Sequence, residues 1–356
     1  MVVSAPPAAA TAEAPPAPDP RDVGGPRQPM LIAERLTKHF TLRGSSPGRR
    51  AVVRAVDEIS FDVRKGETLG IVGESGCGKS TTARLLIGLT RPDSGALVFD
   101  GEEVAASRGV SVRRLQRSVQ MVFQDSYASL NPRLTLQETI AFGPRVCGHS
   151  RAEARERAQS VLRLVGLDPA LFARRYPHEL SGGQRQRVNI ARALAMGPRL
   201  LILDEAVSAL DKSIEAQVLN LLQELKARLS LTYVFISHDL NVVRFMSERV
   251  LVMYLGKVVE VGPVDRIYDS PRHPYTRALL SSRLSMNPKQ RRTVPPLSGE
   301  PPSLIDPPSG CRFRTRCALA EGVCVAVAPS LAAQGDDHFA ACHAATPGSG
   351  HGAAAA

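Results

Sequence analysis

Apolar and polar positions alternate along the first part of the chain. "LIAERLTKHF" (31–40), "VVRAVDEISFDV" (52–63) and "ETLGIVG" (67–73) predict short strands, with turns at "RGSSPGRR" and "RKGE" between them. The period changes to that of a helix over "KSTTARLLIGL" (79–89), which "RPDSG" ends. "GALVFDG" (95–101) and "SVQMVFQ" (118–124) read as strands, and residues 134–195 read as mostly helical, interrupted at "GHS", "GLDP" and "YPHELSGG". Then follow the apolar run "RLLILDE" (199–205), a helix from about Asp211 to Leu229, the strand "TYVFIS" (232–237), a short helix and the hairpin "RVLVMYLGKVVEVG" (249–262). Strands alternating with helices predict an α/β fold with a largely parallel sheet covered on both faces and a helical insertion at about 125–195. No internal repeat interrupts this order.

Composition adds boundaries. Of 356 residues, 43% are hydrophobic, enough for a sizeable core. The Ala/Pro-rich stretch 1–28 has neither a basic leader nor a continuous apolar run, so it predicts a disordered tail and not a secretory signal. After about residue 263 the chain turns Pro-rich and Cys-containing, which predicts a separate C-terminal region over 263–345 and a second disordered tail over 346–356. The net charge is +11, but the arginines are dispersed and there is no Trp, so nucleic acid is not expected as the main ligand. No run approaches the roughly 20 apolar residues that span a bilayer. The expected location is the cytoplasmic side, where thiols stay reduced.

The chemistry begins at "GESGCGKST", Gly73 to Thr81. It matches G-x-x-x-x-G-K-[ST] between a predicted strand and a predicted helix, the setting a phosphate loop requires. Gly73, Gly76 and Gly78 let the backbone wrap phosphates, with Glu74, Ser75, Cys77 and Thr81 in the same loop. Lys79 neutralises phosphate oxygens, and the Ser80 hydroxyl is placed for Mg²⁺. "LLILDE" ends in Asp204, expected to hold the magnesium through water, and in Glu205, placed to polarise an attacking water as general base. An idle, solvated acidic pair is the plainer alternative. Cys77 at a helix N-terminus is expected to have a lowered pKa and to react readily. A second glycine-bearing loop, "LSGGQRQR" (180–187), raises the question of which phosphate it serves.

In order, the phosphate loop, "LSGGQRQR", "LILDE", "SALD" and "ISHDL" resemble the nucleotide-binding subunit of an ABC transporter over roughly residues 31–262. "FQDSYASLNPR", "RYPHELSGGQRQRVNIARALA" and the tail "HPYTRALL … LSGEPPSL … PPSGCRFRTRC" are similar to the oligopeptide/dipeptide importer ATPases, closer to the second of the two paired ATPases. The resemblance implies a P-loop ATPase cassette (29–262) with an antiparallel β subdomain, a helical subdomain and a small C-terminal Cys-containing appendage. It implies a head-to-tail pair of cassettes in which Ser181, Gly182, Gly183 and Gln184 of one chain close over the ATP of the other. Gln124 corresponds to the residue that senses the γ-phosphate and Mg²⁺. Asp211 corresponds to a residue at the dimer seam, His238 to the histidine that orients the water, and Phe40 to an aromatic that stacks on adenine. For Phe40, a core phenylalanine is the competing reading. Expected partners are a paralogous ATPase or a second copy, two membrane permease subunits and an extracytoplasmic solute-binding protein. The transported solute is left open among dipeptides, longer peptides, glutathione and nickel chelates. The family's usual Pro-Thr or Pro-Val after the catalytic glutamate is Ala206-Val207 here, which is expected to loosen the backbone beside Glu205.

Cys311, Cys317, Cys324 and Cys342 crowd a segment too poor in apolar residues to form its own core. The gaps lack a CxxC knuckle. Members of the resembled family carry a [4Fe–4S] cluster in this region, and four thiolates fit that ligand set; Zn²⁺ and unliganded thiols are the alternatives. Two other functions compete with transport: a soluble ATPase of the same type acting on nucleic acid or the ribosome, and a degenerate regulatory subunit that binds nucleotide without turnover.

Overall fold

The computed structural model describes residues 22–25, 27–43, 50–282, 299–335 and 337–354. Residues 1–21 and 355–356 of the two expected tails, and most of the turn at 43–50, lie outside them.

Two sheets organise the molecule. The first is antiparallel and contains β1 (Leu31–Arg43), β2 (Arg50–Val63), β4 (Ser94–Phe99) and β5 (Glu102–Glu103), in the order β2-β1-β4-β5. The segments expected as short strands are in fact long. β1 stays paired with β2 along its whole length because register shifts at Ala33/Leu36, Leu36/Lys38 and Lys38/Phe40 absorb the twist. The central sheet contains β3 (Thr68–Val72), β6 (Val119–Val122), β7 (Leu200–Asp204), β8 (Thr232–Ile236), β9 (Arg249–Tyr254), β10 (Lys257–Pro263), β11 (Ala332–Ala333) and β12 (Phe339–Ala340), in the order β11-β12-β10-β9-β3-β8-β7-β6. From β9 to β6 neighbouring strands are parallel. β3, β7 and β8 are buried at every position, which is why their sequences are apolar runs and not alternations.

Helices cover both faces. α1 (Lys79–Leu86) follows the phosphate loop, and α2 (Val112–Ser118) leads into β6. The insertion is built from α3 (Leu136–Val146), α4 (Arg151–Leu164), α5 (Pro169–Phe172) and α6 (Gly182–Leu194). Reciprocal caps start α3 (Thr135 with Glu138) and α4 (Ser150 with Glu153), each satisfying two otherwise unpaired backbone N–H groups. α7 (Lys212–Leu229) and α8 (Leu240–Met246) complete the cassette. One core cluster joins the insertion and α7 to one face of the central sheet; the other fills the space between the two sheets around α1.

Both chain ends depart from expectation. Residues 22–25, 27 and 28, part of the expected disordered tail, are described, and this stretch is tied down. Asp22 pairs with Lys65 at 2.5 Å, and the Val23 N–H donates to Asp100 at 2.8 Å. Asp100 is in turn bound by Lys65 and by the buried Arg199 at 2.6 Å. The charges Asp22, Lys65, Asp100 and Arg199 satisfy one another, which composition could not show. At the other end, residues 346–354 pack as well: His351 is buried and bonds the Leu319 carbonyl at 2.7 Å, and the Gly352 N–H donates to Glu321. α9 (Val264–Asp269), α10 (Pro274–Ser281) and α11 (Gly322–Ala326) lie between β10 and β12, which pair Glu260 with Ala340 and Val261 with Phe339. The C-terminal region is therefore docked on the cassette and extends its central sheet through β12.

Candidate functional site

The site forms where parallel strands end. β3 leads into the phosphate loop, and three of its glycines take backbone angles that other residues rarely adopt: Gly73 (φ 153°), Gly76 (77°) and Gly78 (111°). Space also requires them. A Cβ on Gly73 would lie 2.3 Å from the Met253 carbonyl oxygen, and one on Gly78 would lie 2.3 Å from that of Ala55. The loop is thus pressed between β2 and β9 and leads directly into α1.

Lys79 is buried, and its ammonium folds back on the loop, donating to the carbonyls of Gly73 (2.7 Å) and Glu74 (3.0 Å). Ser80 donates to Asp204 at 3.3 Å, so the two expected magnesium contacts meet. Burial pushes the Asp204 carboxyl up, against the Ser80 hydrogen bond, and the neighbouring Glu205 charge pushes it further. A divalent cation would relieve both effects, and the hydroxyl–carboxylate pair suits hard Mg²⁺. Gln124 donates to Glu205 Oε2 at 2.9 Å, and His238 Nδ1 lies 3.5 Å from the same oxygen. Ser75, Gly76, Gly78, Lys79, Ser80, Thr81, Gln124, Glu205, His238 and Ala55 line one open cleft of about 380 Å³.

Glu205 itself sits in the left-handed region, φ 49°, unusual for a residue with a side chain. Beside Ala206-Val207, where loosening is expected, the backbone has other restraints. The Glu205 N–H donates to Ile236 at 2.9 Å, Ser208 Oγ donates to the Glu205 carbonyl at 2.9 Å, and Ala206 and Val207 are buried. The neighbouring strand β8 supplies the restraint that proline would have given.

Cys77 also departs from expectation. It is 3% exposed, and burial raises its thiol pKa despite the Lys79 charge nearby. Desolvation outweighs the helix N-terminus. Phe40 is 40% exposed on β1 beneath the Lys38 ammonium, so it is no core phenylalanine, though it does not line the cleft.

The signature residues stand elsewhere. Ser181 caps α6, accepting from the Gln184 N–H at 3.3 Å while Gln184 accepts from the Ser181 N–H at 3.0 Å. Gly183 packs so closely on α7 that an added Cβ would lie 2.5 Å from Ile214 Cγ2, whereas Gly182 is free of such contact. Asp211 precedes α7, its side chain not engaged in capping. None of these residues lines the cleft of its own chain.

Sequence reasoning missed two contacts on the phosphate loop. The Glu74 N–H donates to the Tyr275 hydroxyl at 2.8 Å, and the Glu74 carboxylate receives Arg316 through two bonds, at 2.8 and 3.1 Å. Neither partner carries a local signal, because α10 brings Tyr275 there and the return of residues 299–317 brings Arg316.

Cys311, Cys317, Cys324 and Cys342 all border one narrow cavity, with His273, His343 and His351. Burial pushes the Cys311 thiol up to about 11, and those of Cys317 and Cys342 also rise. Among the described residues no three His, Cys, Asp or Glu side chains could hold a single metal ion. Mononuclear zinc, whose thiolates must all lie about 2.3 Å from one ion, does not fit.

A loop of this kind joined to a strand-end carboxylate pair defines a nucleotide-hydrolysing P-loop protein. Residues 56–208 match the ABC transporter family, and residues 259–324 match the C-terminal region of oligopeptide/dipeptide transporters. A probable peptide ABC transporter ATP-binding protein of Sinorhizobium fredii is 49% identical over 89% of this chain and 90% of its own length. The oligopeptide transport ATP-binding protein AppF of Bacillus subtilis is 48% identical over 89% and 98%. Among solved structures, a dimeric post-hydrolysis ATP-binding cassette bound to ADP and phosphate superposes with a TM-score of 0.56 at 30% identity, covering 66% of this chain and 99% of that one. The chain belongs to the ATP-binding proteins of ABC transporters, in the branch that carries the oligopeptide/dipeptide C-terminal region. It is accordingly an ATPase cassette that works with ATP and Mg²⁺. Among the described residues no helix is long and apolar enough to cross a membrane.

Proposed function

We propose that this protein is the ATP-hydrolysing subunit of an importer for di- or oligopeptides, held at the cytoplasmic face of the membrane by two permease subunits and fed by a solute-binding protein. The peptide-transport names of its relatives support the solute class. One observation carries the mechanism. Lys79, Ser80, Gln124, Glu205 and His238 share one cleft, while Ser181 to Gln184 lie outside it. Each nucleotide is then completed by a neighbour's signature loop, from a paralogue or a second copy, with Asp211 at the seam and Phe40 beneath the adenine.

Within the closed site Lys79 and the loop N–H groups hold the β- and γ-phosphates. Ser80, Gln124 and Asp204 would hold Mg²⁺, which would supply positive charge against the phosphates. Glu205 accepts the proton of the attacking water, and His238 orients that water on the γ-phosphate. Glu205 is held firmly, which favours turnover over a degenerate regulatory role. Glu205→Gln should lower turnover about a hundredfold and trap the ATP-bound pair. The test is sedimentation of that variant with Mg·ATP and its paralogue. A stable closed dimer is expected, and persistent monomers would overturn the reading.

A [4Fe–4S] cluster held by Cys311, Cys317, Cys324 and Cys342 is the second part of the proposal. It rests on the family resemblance and on the number of thiols bordering one narrow cavity, although no three described side chains are placed to hold a single metal ion. Such a cluster would supply cationic charge that stabilises the thiolates of Cys311, Cys317 and Cys342, which burial disfavours. Anaerobically purified protein should be brown, with about four irons per chain; colourless, iron-free protein excludes it.

A further inference from the structure

The C-terminal region reaches the nucleotide site through one side chain. Arg316 leaves the turn just before Cys317 and crosses behind the phosphate loop, where its guanidinium grips the Glu74 carboxylate with two parallel bonds of 2.8 and 3.1 Å. The Arg316 side chain is only 6% exposed, against 23% for Glu74. Its path is fixed by Tyr254, whose hydroxyl is 3.4 Å away, and Tyr254 packs edge-on against Phe313 of the same turn. Arg312, four residues earlier, is anchored to Asp57 and to the Leu255 carbonyl. The turn is therefore docked, and Arg316 meets Glu74 from a prepared position.

Glu74 is otherwise a poor choice for this place. It lies in a loop whose backbone gathers a triphosphate of several negative charges, and a free carboxylate there repels the ligand. A two-bond arginine partner both cancels that charge and keeps the carboxylate turned away from the cleft. The Tyr275 hydroxyl, from α10, accepts the Glu74 N–H and fixes the backbone at the same residue. Within the loop only the Glu74 carbonyl is held, by Lys79 and the Cys77 N–H; two C-terminal elements hold its N–H and its carboxylate.

The geometry points to Arg316 as a positioning residue for the phosphate loop, through which the C-terminal region sets the affinity for Mg·ATP. The inference rests on the ATPase reading. Because Arg316 is adjacent to Cys317, any change in the cysteine cavity is one residue from the nucleotide site, and nucleotide binding acts back on that cavity equally.

The experiment is equilibrium binding of Mg·ATP to the full chain, with the melting temperature of the nucleotide-free protein as a control for folding. Lys79→Ala tests the underlying reading separately: if wild type and this variant bind alike, the ATP site is elsewhere. Given normal wild-type binding, Arg316→Ala should weaken Mg·ATP binding on the order of tenfold, with the loss in KM and not in kcat. Arg316→Lys, which retains charge but not the paired bonds, should fall between. Glu74→Gln placed on Arg316→Ala should restore most of the affinity, because the unopposed carboxylate is gone. A merely structural arginine would not be rescued in this way. Arg316→Ala binding as wild type does, or a double variant no better than Arg316→Ala, overturns the inference. If Arg316→Ala does not fold, wild-type affinity in Arg316→Lys overturns it.

Discussion

Two adjacent glycines show how much one methyl group can separate. An added Cβ on Gly182 would lie no closer than 3.6 Å to Leu210, an ordinary contact, whereas on Gly183 it would collide with Ile214 at 2.5 Å. Gly182→Ala should therefore leave the melting temperature unchanged and yet, on the proposed dimeric site, lower turnover on the order of tenfold or more by obstructing the partner's phosphate. Gly183→Ala should cost about 1–3 kcal/mol of stability by overpacking, together with turnover. Thermal melts paired with ATPase rates check both; normal turnover by Gly182→Ala would remove the dimeric site. Cys77 illustrates the opposite lesson. Its place at a helix N-terminus suggested a reactive thiolate, but reactivity follows access and solvation, and both are withheld by packing that no local motif encodes.

At the scale of elements, His273 precedes α10 and accepts the Tyr275 N–H on Nδ1 at 3.0 Å. Only the neutral ring can accept there. Burial, first among the causes, pulls its pKa down to about 4; the Glu260 carboxylate opposes the shift and Arg277 adds to it. An unfolded imidazole takes up its proton near pH 6.5, so between about pH 6.5 and 4 the unfolded chain binds more protons than the folded one. Stability is then complete above pH 6.5 and falls as the pH drops towards 4, by about 3 kcal/mol from this group. His273→Asn keeps an acceptor for the cap and should flatten the decline in melting temperature between pH 7 and 5. An unchanged slope would assign the acid lability elsewhere.

Elements were also the scale at which the sequence was most readable. The runs "TLGIV", "LLILD" and "TYVFI" announced buried parallel strands because apolar continuity directly reflects burial on both faces. β1 and β2 were expected to be shorter, since bulges that let a long pair keep its register leave no mark on the alternation. In the site, the loop, Asp204, Glu205, Gln124 and His238 were all named from motifs, and they converge. Arg316 and Tyr275 were not, because their role depends on chain returns across 242 and 201 residues.

For the molecule as a whole, compositional borders proved weaker than the pairing of strands and charges. An Ala/Pro-rich beginning yields at Asp22 to the ion network around Asp100, and the Pro-rich ending supplies β11 and β12. The central sheet runs across the change in amino-acid usage near residue 263. The pairing of β12 with β10 has a practical consequence. A cassette cut back to its nucleotide-binding motifs would bare the hydrogen-bonding margin of β10, including Glu260 and Val261, and offer it to any extended peptide in solution. The last stretch of the chain thus doubles as a guard against clumping.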